Sequence, residues 1–122
     1  MAINFDHKFV NDYLLVTASG KDESLQQVYE YQKAIVEIAV SNNCKKMLCD
    51  ERNLIYNISI SETYQTAKNP PEQIWKLIKI AIVCSPEFIR EAKAMETFVI
   101  NQGMRFFATD VFTEAENWLC QT

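Results

Sequence analysis

At 122 residues the chain has the commonest length for one domain, and a single hydrophobic core over residues 1–122 is expected. Its composition, 48% apolar and 23% charged, excludes a disordered chain, and a net charge of -4 with 12 basic residues dispersed among 16 acids points away from nucleic acid. No run approaches the ~20 apolar residues of a membrane span, and Met1-Ala-Ile-Asn-Phe-Asp lacks the basic and apolar segments of a signal peptide, so a soluble cytoplasmic domain is expected.

From Ile3 to Phe9 apolar and polar residues alternate, with Ile3, Phe5, His7 and Phe9 on one face, the period of a half-buried strand. Asn11-Asp12 marks a turn. Tyr13 to Ala18 is rich in β-branched and aromatic residues, which makes the two runs an antiparallel hairpin ended by Gly20. Ser24 with Gln27 reads as a capping box, and Leu25, Val28, Gln32, Ile35 and Ala39 follow at helical spacing up to Asn42-Asn43. The outer row Glu30, Lys33 and Glu37 is solvent-facing helix surface.

Lys46 to Asp50 predicts a short buried strand, and Glu51 to Ile58 a loop. Ser59 with Glu62 is a second capping box, opening a short helix that Asn69-Pro70-Pro71 stops. Ile78 to Cys84 is the most apolar run in the chain and reads as a central buried strand. Ser85-Pro86-Glu87 then begins a helix with a capping hydroxyl, a proline at the first position and an acid facing the dipole. Phe88, Ala92, Met95 and Val99 continue it, and Gly103 closes it. Arg105 to Thr109 is a last strand, and Thr113 with Glu116 a third capping box for a final helix presenting Ala115, Trp118 and Leu119.

The order is β-β-α-β-α-β-α-β-α. It implies an α/β fold with a mixed, mainly parallel five-stranded sheet, an N-terminal antiparallel hairpin and four helices. That order and the ending F-x-x-D-x-x-x-E-A-x-x-W-L, formed by Phe107, Asp110, Glu114, Ala115, Trp118 and Leu119, resemble the SpoIIAA-like (STAS-type) family of anti-sigma-factor antagonists, relatives of lipid-binding Sec14-type proteins. The resemblance spans close to the full chain. It implies a domain that works by binding, in the antagonist branch through phosphorylation of a Ser two residues after the Asp that ends the third strand. That Asp would be Asp50, and the residue two positions on is Arg52, so the switch serine is absent from its place. Ser59 and Ser61 lie further along and read as helix caps.

Candidate chemistry is sparse. Cys44, Cys49, Cys84 and Cys120 show no CxxC spacing and read as reduced thiols, and with one His in the chain neither a zinc site nor a Cys-His pair is expected. Gly20 and Gly103 are the only glycines, which excludes a phosphate-cradling loop, and Lys45-Lys46 is the only adjacent basic pair. Asp50 with Ser85 lacks the acidic pair and the Lys that a receiver-type phosphoacceptor needs. No catalytic set, metal or cofactor is therefore expected.

Ligands of open α/β sheets gather beyond the carboxyl ends of the strands, here at Asp50, Glu51 and Arg52, then Ser85, then Thr109 and Asp110. The aromatic residues Tyr29, Tyr31, Tyr56, Tyr64 and Trp75 are too many for so small a core. Two readings follow. The first is a non-enzymatic regulatory domain that binds a protein partner or itself through the sheet edge or the surface around residues 50 to 64, with Asp50, Arg52, Tyr56, Ser59, Ser61, Tyr64, Trp75 and Ser85 as the candidate partner or ligand surface. The second is a carrier for a small apolar or lipid-like molecule in a groove between sheet and helices, lined by Tyr56, Tyr64 and Trp75.

Overall fold

A computed structural model describes residues 3–121. Met1 and Ala2, where the reading of the N-terminus as free of a signal peptide begins, and Thr122 lie outside the described residues.

Strands Ile3–Val10 (β1) and Tyr13–Lys21 (β2) form the expected antiparallel hairpin, paired from Ile3 with Gly20 to Val10 with Tyr13. Leu25–Ser41 (α1), Lys46–Ile55 (β3), Ile60–Lys68 (α2), Lys79–Cys84 (β4), Ile89–Asn101 (α3), Arg105–Thr109 (β5) and Phe112–Cys120 (α4) follow. The sheet order is β1-β2-β3-β4-β5, with every pair from β2 onward parallel. This is the expected fold class.

The topology decides where a cavity can form. Right-handed crossovers that always step the same way across a sheet place all their helices on one face. Thus α1, α2 and α3 share a face, and α4, which follows the last strand, covers the other. The core divides accordingly. Leu14, Val16, Met47, Cys49, Ile80 and Phe106 meet the α1 residues Tyr31, Ile35 and Val36 on the first face, whereas Tyr13, Leu48, Ala81 and Val83 meet Ala115 and Leu119 of α4 on the second.

Two of the expected caps form. The Ser24 hydroxyl accepts from the Gln27 amide at 3.2 Å, and Ser59 with Glu62 makes a reciprocal capping box. Gly103 closes α3 at φ +100°, a conformation that costs glycine little, with its amide bonded to the Ile100 carbonyl.

Four local expectations are corrected. The segment after Asp50 is strand, not loop. β3 runs to Ile55, and its register with β2 shifts because Thr17 pairs with Asp50 while Ser19 pairs with Asn53. One extra residue on β3, a β-bulge, breaks the alternation that would have marked a strand. After Ser85 comes a single 3₁₀ turn, Pro86–Phe88, before α3, and the Ser85 side chain makes no cap. α4 starts at Phe112 with no side-chain cap. Thr113 therefore lies inside it, and the Thr109 hydroxyl donates to Glu114 instead of a Thr113 box forming.

The fourth correction is at the start of β4, where Ile78 is 47% exposed and Lys79 only 2%. The Lys79 ammonium donates to the carbonyls of Trp118 (3.0 Å) and Gln121 (2.7 Å) and lies 4.9 Å from the Trp118 ring centroid. A cation at the negative end of α4 satisfies carbonyls that the helix leaves free.

Candidate functional site: an apolar cavity with an acidic end

Between the sheet and α1, α2 and α3 lies a cavity of about 110 Å³. It exceeds the ~10–15 Å³ that one water needs and is of the order of the ~150 Å³ cavity that takes benzene. Its walls are mostly apolar. Met47, Ile80 and Phe106, from the amino ends of β3, β4 and β5, line it together with Val36, Val99 and Met104.

The charged residues that line it stand at the opposite end. Asp22 directly follows β2, Glu51 pairs with Cys84 at the last rung between β3 and β4, and Glu91 lies in the first turn of α3. All three are acids, and no Lys, Arg or His is among the described residues that line the cavity.

The bulge explains how an acid comes to point inward. Met47, Cys49 and Glu51 alternate onto the inner face, and the extra residue resets the phase so that Leu54 returns to the same face. Glu51 is buried. Tyr31 from α1 donates to its Oε2 at 2.8 Å, and Tyr56 donates to Oε1. Loss of hydration raises the Glu51 carboxyl from its ordinary 4.5 to about 7, against the opposing pull of the two hydroxyl bonds. The same burial, with the carboxyl alongside, pushes both phenols well above their ordinary value.

Asp22 is buried as well. Its Oδ1 accepts from the amides of Asn57 and Ile58, and burial outweighs those bonds in raising its carboxyl. Glu91 differs from both, because its Oε1 is buried with no hydrogen-bond partner. Such a group is costly unless a donor meets it.

The residues singled out in the sequence are only partly brought together. Tyr56 and Trp75 line the cavity, Trp75 being 50% exposed. Tyr64 is not a lining residue and packs edge-on against Phe98, 5.0 Å between ring centroids. Asp50 and Arg52 form a bidentate ion pair on β3, with contacts of 2.8 and 2.7 Å, and the guanidinium lies 5.3 Å from the Phe112 ring. Ser59 is spent on its capping box, Ser61 is exposed in the first turn of α2, and Ser85 stands half-buried after β4. His7 is exposed on the edge strand, edge-on to Phe9.

The four cysteines are free, with Cys49 and Cys84 buried. Burial pushes the Cys49 thiol well up and the Cys84 thiol to about 11, so neither is a ready thiolate. Among the described residues no three His, Cys, Asp or Glu gather in a way that could hold a metal, and no helix is long and apolar enough to cross a membrane.

Sequence reasoning gives no role to Glu91 or Asp22, names Tyr31 only among the surplus aromatic residues, and places Glu51 in a loop. The one usable signal was the surplus of aromatic residues, two of which prove to be the hydroxyl donors to Glu51.

No protein-family model matches the chain, and no curated protein matches it by sequence. Solved structures do. An anti-sigma factor antagonist from Mycobacterium paratuberculosis superposes with a TM-score of 0.60 at 8% identity, over 98% of this chain and 96% of its own. An uncharacterized DUF3478 protein with a SpoIIAA-like fold, from Shewanella loihica, superposes with a TM-score of 0.61 at 20% identity, over 98% and 94%. The likeness covers 98% of the chain: this is a SpoIIAA-like fold.

Proposed function

We propose that this chain is a non-enzymatic binding domain that takes a small, largely apolar molecule between its sheet and helices. The observation that carries this reading is the cavity of about 110 Å³, apolar along its walls and polar at one end, bordered by the half-exposed Trp75. Filling it would recover the dispersion contacts that the lining side chains forgo. Native mass spectrometry of the freshly purified chain is expected to show a small, collisionally removable adduct, or small apolar molecules are expected to raise the thermal midpoint. A bare mass together with an unmoved midpoint would count against the reading.

A regulatory, protein-interaction role is the second reading, favoured by the exposed apolar side chains Ile55 (50%) and Tyr64 (42%) beside Ser59 and Ser61. One structural neighbour is an anti-sigma factor antagonist, which agrees with a protein partner or self-association. The usual phosphoserine switch has no counterpart in this reading, since Arg52 holds its position and is ion-paired to Asp50. Sedimentation of the wild type against Ile55→Glu tests the self-association branch. A concentration-dependent dimer lost in the variant supports it, and two identical monomers oppose it.

A further inference from the structure

We infer that the cavity receives a small apolar molecule carrying a hydrogen-bond-donating head group, a hydroxyl or a protonated amine, and rejects carboxylates. This rests on the ligand-binding reading above and adds to it the chemistry of the head.

The cavity is polarised along the strands. Its amino-end walls offer mostly carbon and sulfur, from residues such as Met47, Ile80 and Phe106 with Gln102 beside them, whereas the carboxyl end gathers the acids Asp22, Glu51 and Glu91. Every charge there is an acid. Among the donors beside these acids, the hydroxyls of Tyr31 and Tyr56 donate to Glu51, the amides of Asn57 and Ile58 to Asp22, and the Ser59 amide to Glu62, while Gln32, Gln102 and Trp75 are the other polar side chains of the lining. The acids themselves keep acceptor capacity. Glu91 Oε1 has no donor, and each Glu51 oxygen keeps a second lone pair beyond its one tyrosine bond.

A ligand donor would satisfy groups that are otherwise costly to bury. An anionic head would meet three carboxyl groups in a poorly hydrated space, with no cationic side chain among the described lining residues to offset the repulsion. The volume suits a ring with one short substituent.

Four probes of nearly one shape separate the possibilities in a calorimetric titration at pH 7: toluene, benzyl alcohol, benzylamine and benzoate. Benzyl alcohol and benzylamine are expected to bind and benzoate to give no saturable heat. Glu91→Met should weaken benzylamine roughly tenfold while leaving toluene within about twofold, because only the former uses the acceptor. Should that variant fail to fold, Glu51→Gln in the same titration is expected to weaken benzylamine selectively too. Benzoate binding as tightly as benzyl alcohol, or equal loss of toluene and benzylamine in the variants, would overturn the head-group inference and leave an unselective apolar cavity. Failure of every probe, toluene included, would instead remove the ligand-binding reading on which it rests.

Discussion

On the face covered by α4, Lys79 is 2% exposed and its ammonium is held by the carbonyls of Trp118 and Gln121. On the face covered by α1, α2 and α3, Glu51 is 6% exposed and its carboxyl is held by the hydroxyls of Tyr31 and Tyr56. Both side chains are of types rarely buried without partners. The cation closes its face, joining the first residue of β4 to the last turn of a helix packed on Leu48, Ala81 and Val83. The anion borders a space its helices do not fill. One sheet therefore carries a packed side whose polar group serves stability and an open side whose polar groups are left with acceptor capacity.

That contrast can be broken at several points. The largest effect is expected at Leu119, fully buried on the packed face. Leu119→Ala should cost ~2–5 kcal/mol, read from urea denaturation, because side chains there have little room to close the gap. A loss below ~1 kcal/mol would mean that this face is loosely packed after all.

The next effect is a pH dependence on the open face. Glu51 ionises near 4.5 when unfolded and near 7 when folded, so the folded state favours its protonated form. Its stabilising contribution is complete below pH 4.5 and is lost as pH rises through 7, about 3 kcal/mol in all. The difference between wild type and Glu51→Gln in denaturation midpoint should therefore change across pH 4.5–7.5, with the wild type losing relative to the variant. Parallel profiles would show that Glu51 is not buried as described.

Lys79→Met should cost ~1–3 kcal/mol, since it leaves two helix-end carbonyls without their donor. Hydrogen exchange at the C-terminal turn of α4 should quicken in the variant. Smallest is Trp75→Ala, expected to shift stability by less than ~1 kcal/mol because the ring is already half exposed, while weakening toluene binding. A large stability loss there would make Trp75 a core residue and not part of a cavity wall.

What the sequence made legible follows the same division. The hairpin, α1, α2 and β4 could be read because their periods and caps are local: alternation from Ile3, the hydroxyls of Ser24 and Ser59, the apolar run at β4. The packed face was readable too, since Ala115 and Leu119 recur at helical spacing. The site was hidden for a physical reason. At Glu51 the bulge interrupts the two-residue period, so Cys49-Asp-Glu-Arg-Asn-Leu54 looks like a polar loop although it is a strand with an inward acid. Glu91, in the first turn of α3, carries no local mark in the sequence that separates it from a surface acid. Lys79, inside the apolar run from Ile78 to Cys84, shows nothing of its role locally because its partners lie 39 and 42 residues away. Contacts at such separation leave no local pattern. Tyr56 and Trp75 were legible as surplus aromatic residues, and only the fold could separate them from Tyr64.

The most direct test of the central claim, that one face of the sheet is open to a small apolar molecule and the other is not, is a methyl-resolved NMR titration with toluene. Saturable shifts are expected at Val36, Met47, Ile80 and Val99, with Leu48, Val83 and Leu119 unmoved. Absence of saturable shifts, or equal shifts on both faces, would contradict it.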